Sequence, residues 1–224
     1  MTAPPIWGWM SLALIILVGA AVVVCALDPG LWEAKNDVQE ACDQIGDHYQ
    51  LTTVVSRDGE GRTVSDITVS GSNSRHLVAT YGPDNQTLEA QAEQIRIGQG
   101  AEGVALYVRE NPVGDPDALG NWELREDTAD DAGVRPCLND PDSKVRRVEP
   151  QLYTWLEGVD EDEEDEEEVQ DGSEFELQLD EEGIPHRLIV QEYVAGDLIS
   201  RTEHTYSNIG TPTVITAPDV GAGQ

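Results

Sequence analysis

Between Phe175 and Pro218, apolar and polar side chains alternate in short segments set apart by turn residues. Phe175, Leu177 and Leu179 alternate with Glu176, Gln178 and Asp180, a period of two that places the apolar side chains on one face of a strand. Glu181-Glu182-Gly183 turns the chain, and His186 to Tyr193 returns with apolar residues on both faces, as expected of a strand covered on both sides. Ala195-Gly196-Asp197 turns it again into a more polar pass, Leu198 to Tyr206. Ser207-Asn208-Ile209-Gly210 reverses the chain once more, and Thr213 to Thr216 reads as a closing strand before Pro218. The pattern is that of an antiparallel meander.

The first half of the chain has the same grammar. Leu31 to Gly46 has helical spacing, with Trp32, Val38, Cys42 and Ile45 on one face and acids and amides on the other. Gln50 to Ser56 and Thr63 to Ser70 form a hairpin across Asp58-Gly59-Glu60-Gly61. Gly71-Ser72-Asn73 leads to a further strand, Arg75 to Tyr81, which ends at the turn Gly82-Pro83-Asp84-Asn85. Strands follow at Glu93 to Ile97, at Val104 to Arg109 and around Trp122, and a short helix is expected near Val148 to Leu156. Short strands joined by Gly, Asn and Asp predict an antiparallel sheet rather than βαβ units.

Ile6 to Leu27 interrupts this grammar with 22 residues free of charge. As a helix it would span about 33 Å, close to the hydrocarbon thickness of a bilayer. Trp7 and Trp9 lie at one end, where indole rings favour the membrane interface, and Asp28-Pro29-Gly30 stops the helix at the other. The segment, residues 1–27, reads as a signal peptide or a membrane anchor. Cleavage after Ala26, retention as a single span, and lipidation at Cys25 all remain open. Val24 stands directly before Cys25 where a lipidation motif has a small residue, and the first basic residue is Lys35. The protein is thus expected to be exported, to the outer face of the cytoplasmic membrane or beyond. Residues 28–218 then form one domain and 219–224 a small-residue tail.

Charge narrows the partners. The 224 residues carry 44 Asp and Glu against 13 Lys and Arg, a formal net charge of -31, so a nucleic-acid backbone would be repelled. Asp160 to Glu168 is an unbroken run of acids, expected as a solvated, mobile loop spanning about residues 157–173. It lacks the Asp-x-Asp-x-Asp-Gly spacing of a calcium loop, so composition supports no more than diffuse cation binding. Cys42 and Cys137 are the cysteines outside the apolar segment, and in an exported domain two such thiols favour a disulfide.

Chemical motifs are sparse. His48, His76, His186 and His204 are widely separated and in no zinc-binding spacing. No Gly-x-Ser-x-Gly elbow occurs, and the glycines at 98–103 and 59–61 precede no Lys-Ser/Thr phosphate loop. Asn85-Gln86-Thr87 fits the N-glycosylation pattern. The residues therefore predict a non-enzyme with no metal or cofactor, and they name no ligand-binding residue.

The order of features resembles the LolA-like group of bacterial envelope proteins, particularly actinobacterial lipoproteins of the LppX and LprG type. An apolar N-terminus leads into an amphipathic helix ending in Asp47-His48-Tyr49-Gln50-Leu51. Glu93-Gln94-Ile95-Arg96-Ile97-Gly98, then Leu106-Tyr107-Val108-Arg109 and Trp122, is similar to the family's strand, Tyr-containing strand and following Trp. Leu179 to Leu188 looks like its Asp-x-x-Gly-x-Pro hairpin, and Tyr206 to Pro218 resembles its closing strand. The resemblance implies an α+β fold: a curved antiparallel sheet, or half-barrel, packed on a few helices that enclose an apolar cavity. It also implies a carrier of lipid or another apolar small molecule, or a membrane-anchored sensor or protein-interaction module of the envelope. The acidic run stands here where the family carries cavity-covering helices.

Overall fold

The structure is a computed structural model that describes residues 29–57, 59–98, 103–111, 115, 118–126, 143–158 and 171–220. The apolar segment with Cys25, the second cysteine Cys137, the acidic run from Asp160 to Glu168 and the last four residues of the tail lie outside the described residues. Among the described residues no helix is long and apolar enough to cross a membrane.

Helix α1 runs from Pro29 to Ile45. Proline suits the first turn of a helix because its missing N–H would have no partner there, so Pro29 begins this helix. Gly46, at a φ of 59°, ends it in the left-handed conformation that glycine adopts without steric cost. The buried stripe is Ala34, Val38, Ala41, Cys42 and Ile45. Trp32, expected on that stripe, is 70% exposed instead, because the stripe starts at Ala34 and the Trp32 indole points away from the sheet.

Eleven strands follow among the described residues: β1 (His48–Arg57), β2 (Gly61–Ser70), β3 (Asn73–Tyr81), β4 (Leu88–Gly98), β5 (Val104–Glu110), β6 (Glu123–Glu126), β7 (Arg146–Glu149), β8 (Leu152–Glu157), β9 (Gly172–Leu179), β10 (Pro185–Val194) and β11 (Asp197–Ser207). They form one open sheet in the order β6-β5-β4-β3-β2-β1-β11-β10-β9-β8-β7. Each neighbouring pair is antiparallel. The sheet is thus two meanders, β1 to β6 and β7 to β11, joined where β1 pairs with β11. Both edges are four-residue strands, Glu-Leu-Arg-Glu in β6 and Arg-Arg-Val-Glu in β7. Short, charged edges discourage pairing with another chain.

Two expectations are corrected. Val148 to Leu156 is a pair of strands around a turn at Pro150, not a helix. Tyr153 and Trp155 alternate with Thr154 and Leu156, and both aromatic rings are buried where β8 pairs with β9. Thr213 to Thr216 is no strand either: residues 211–220 form no ladder. Both sides of β11 are already paired, to β1 and to β10, so no free edge awaits a segment that turns back at Gly210.

The core lies on one face of the sheet. Ala34, Val38, Ala41 and Ile45 of α1 meet Tyr49 and Leu51 of β1, Tyr153 and Trp155 of β8, Leu177 and Leu179 of β9, Leu188 of β10 and Tyr206 of β11. Trp155 stacks on Phe175, with ring centroids 5.0 Å apart. The strand expected to be covered on both faces is so at its centre, where Leu188 and Ile189 are both buried.

Candidate functional site

The face that carries α1 divides into two halves. Over the second meander and β1 it is filled by the core just described, which reaches β2 through half-buried Ile67 and Val69. Among the described residues the core cluster takes no member from β3, β4 or β5. The register nevertheless continues the face outward: Leu51 stands opposite Ile67, Ile67 opposite His76, His76 opposite Gln94, and Gln94 opposite Val108. The next row runs from Thr53 through Ser65 and Val78 to Ala92. Directly opposed residues share a face, so this strip combines Ile67, Val69, Val78, Ala92, Leu106 and Val108 with a few hydroxyls and imidazoles. Val108 is buried and the other five are half-buried.

Two hydroxyl–imidazole contacts mark the boundary between the halves. Thr53 Oγ1 lies 2.9 Å from His204 Nδ1, and Ser65 Oγ lies 2.7 Å from His76 Nε2. Burial lowers the His204 pKa to about 4, so its ring is neutral at neutral pH. Sequence reasoning missed both pairs, because His204 and Thr53 are neighbours only through the β1–β11 ladder. Ser65 and His76 could have been placed together by counting back from the Gly71-Ser72 turn, which pairs Ser70 with Asn73.

The opposite face carries a charged cluster on β3, β4 and β5. The Glu93 carboxylate, 2% exposed, accepts a hydrogen bond from Arg75 Nε at 2.6 Å and another from Arg109 Nε at 2.8 Å. The Arg109 guanidinium also lies 4.5 Å from the centre of the Trp122 ring, which adds a cation–π contact. This clamp ties β3, β4 and β5 together. The segment after β11 runs along the same face: the Thr213 N–H donates to Ser70 Oγ at 3.1 Å, and residues 213–216 lie over Gln50, Thr68 and Ile95.

The remaining residues singled out by sequence are spread out. Cys42 is buried on α1. His48 contacts Ser70 Oγ at 3.2 Å, and His186 is exposed on β10. Asp84 closes the β3–β4 turn by accepting from the Thr87 hydroxyl and from the N–H groups of Thr87 and Gln86, and these bonds, the hydroxyl first, hold its pKa at about 2. Asp180 closes the β9–β10 hairpin by accepting from the N–H groups of Glu182 and Ile184. That hairpin, α1 and the β7–β8 turn border a groove of about 370 Å³ with Asp37, Glu40, Glu181 and Glu182 on its rim. Arg147 and Tyr153 hydrogen-bond Asp37 within it. Among the described residues no three His, Cys, Asp or Glu side chains meet as a metal site.

Among the described residues the architecture is an open, eleven-stranded antiparallel sheet with one helix seated on part of one face. No protein-family model matches it, and no curated protein matches its sequence.

Proposed function

We propose that the protein is a non-catalytic, exported component of the cell envelope, with a LolA-like half-barrel that holds a lipid or another apolar ligand. The supporting observation is the mismatch between sheet and helix. Eleven strands about 4.8 Å apart span about 48 Å, whereas a helix with its side chains is about 10 to 12 Å across. A single helix can therefore cover only a few strands. The strip from Ile67 to Val108 is where an acyl chain would lie, continuous with the core and edged by Ser65 and His76. Each buried CH₂ contributes about 0.8 kcal/mol, so a short stretch of chain suffices for micromolar affinity. Ile6 to Leu27 is the export signal or the anchor in this reading, and Cys42 pairs with Cys137 after export.

Native mass spectrometry of protein purified from its own host tests the reading. Co-purified lipid is expected; protein that is repeatedly empty in gentle ionisation, and that takes up no fluorescent fatty acid, would refute it. A sensor or protein-interaction module is the second reading, favoured by the exposed Val194, Leu198 and Ile199 around the β10–β11 turn. Crosslinking in membranes separates the two, since a carrier yields no stoichiometric protein partner.

A further inference from the structure

The face opposite the proposed lipid strip carries a row of hydrogen-bond donors under the C-terminal segment. Gln50 stands opposite Thr68 in the β1–β2 ladder, and Thr68 opposite Arg75 in the β2–β3 ladder. Directly opposed side chains lie about 5 Å apart, so these three groups can converge on one small molecule. They border a cavity of about 410 Å³ roofed by residues 213–216 and floored by Ile95.

What distinguishes this row is that its donors are unspent. Gln50 uses its Oε1 to accept from Asn208 Nδ2 at 2.7 Å, which leaves the Nε2 amide with no partner among the described residues. Arg75 commits Nε to Glu93 and leaves both η nitrogens without one. The Thr68 hydroxyl makes no hydrogen bond to any described residue. Glu93, the carboxylate at the cavity wall, is held by Arg75 in the lining and by Arg109 beyond it, so its charge is compensated and does not stand alone against an anion. An amide N–H, a hydroxyl and a guanidinium fork suit oxygen atoms of an anion. They do not suit a cation or a hydrocarbon.

We infer that this cavity is a binding site for a small oxyanion, a phosphate, sulfate or carboxylate group. In a protein of net charge -31 the long-range field repels anions, so binding there depends on these short-range donors. Asn208 is a positioning residue: sitting at a φ of 52° just past β11, it ties down Gln50 Oε1 by its Nδ2 N–H, which leaves the Gln50 Nε2 group for a ligand.

The test is a titration of the full ¹⁵N-labelled chain with inorganic phosphate, against chloride at matched ionic strength. Shifts confined to Gln50, Thr68, Arg75 and residues 213–216 are expected with phosphate. The double substitution Gln50→Leu with Thr68→Val should weaken binding at least about tenfold, because each lost hydrogen bond was made to a charged group. Both substitutions leave the Arg75–Glu93–Arg109 clamp untouched. Arg75→Gln serves as a second variant and should abolish the response. Flotation with phosphatidylglycerol vesicles separates the sources: co-flotation lost in the double variant assigns a lipid headgroup, and phosphate shifts without co-flotation assign a free anion. Shifts elsewhere, or equal responses in wild type and the folded double variant, would overturn the site.

Discussion

Thr53 Oγ1 and His204 Nδ1 lie 2.9 Å apart across the β1–β11 ladder, joining residues 151 positions apart in the chain. The contact sits at the seam of the two meanders, and burial holds the His204 imidazole neutral, with its pKa lowered from 6.5 to about 4. The unfolded chain binds this proton near pH 6.5 while the folded chain does not, so folding is opposed as pH falls through that window. The loss of stability between pH 6.5 and pH 4 is on the order of 3 kcal/mol from this group. Urea unfolding at pH 7 and pH 5 checks it: His204→Gln should remove that share of the pH dependence, leaving whatever the carboxylates contribute.

Glu93 is the most deeply buried carboxylate among the described residues, and it depends on two arginines. Arg109→Ala strands part of a buried charge and exposes the Trp122 face, and should cost about 3 kcal/mol. Glu93→Met should cost less, because Arg75 and Arg109 can then turn to solvent. Chemical denaturation of both variants distinguishes a clamp, in which the arginine loss is worse, from simple packing, in which the order reverses.

Trp155 stacks on Phe175 within the core that α1 covers. Trp155→Ala should destabilise by about 3 to 5 kcal/mol through loss of buried area and the cavity left behind. Val78→Trp, on the half-buried strip where the proposed ligand would lie, should instead lower co-purified lipid with a stability change within about 1 kcal/mol. Paired unfolding and lipid measurements on the two variants separate the core from the proposed ligand surface.

Residues 211–220 lie on the sheet without a ladder of their own. Truncation after Gly210 should therefore cost less than about 2 kcal/mol, since it removes few hydrogen bonds and little buried area. Amide exchange at residues 214–217 should be fast while that at β11 stays slow. Slow exchange there would show that the segment is paired after all.

Cys42 sits buried on α1, and export should join it to Cys137. Intact mass without reductant should fall two protons short of the reduced mass. The same measurement reads whether Ile6 to Leu27 has been cleaved, kept or acylated. Two free thiols in exported protein would remove the bridge.

The strands of the final meander and of the β1–β4 hairpins were legible because their signals are local. Leu177 and Leu179 face the core by a period of two, and turns such as Glu181-Glu182-Gly183 need only their own residues. Val148 to Leu156 misled because a short apolar run fits either period, and pairing with β9 decided it. Trp32 misled because it stands six residues before Val38, about 120° round the helix from it, and so lies off the stripe that the sheet buries.

By itself, the sequence determined an acidic, antiparallel α+β chain with an apolar N-terminal segment, since charge, alternation and turn chemistry act over a few residues. Tertiary structure alone decided which strands meet. The β1–β11 pairing brought Thr53 to His204, and the β3–β4–β5 register brought Arg75 and Arg109 onto Glu93. The same topology left β11 no free edge, and so turned an expected closing strand into a segment crossing the face over Gln50, Thr68 and Arg75. The physical reason is that a hydrogen-bonded ladder is a contact between distant residues, and each strand has only two sides on which to form one.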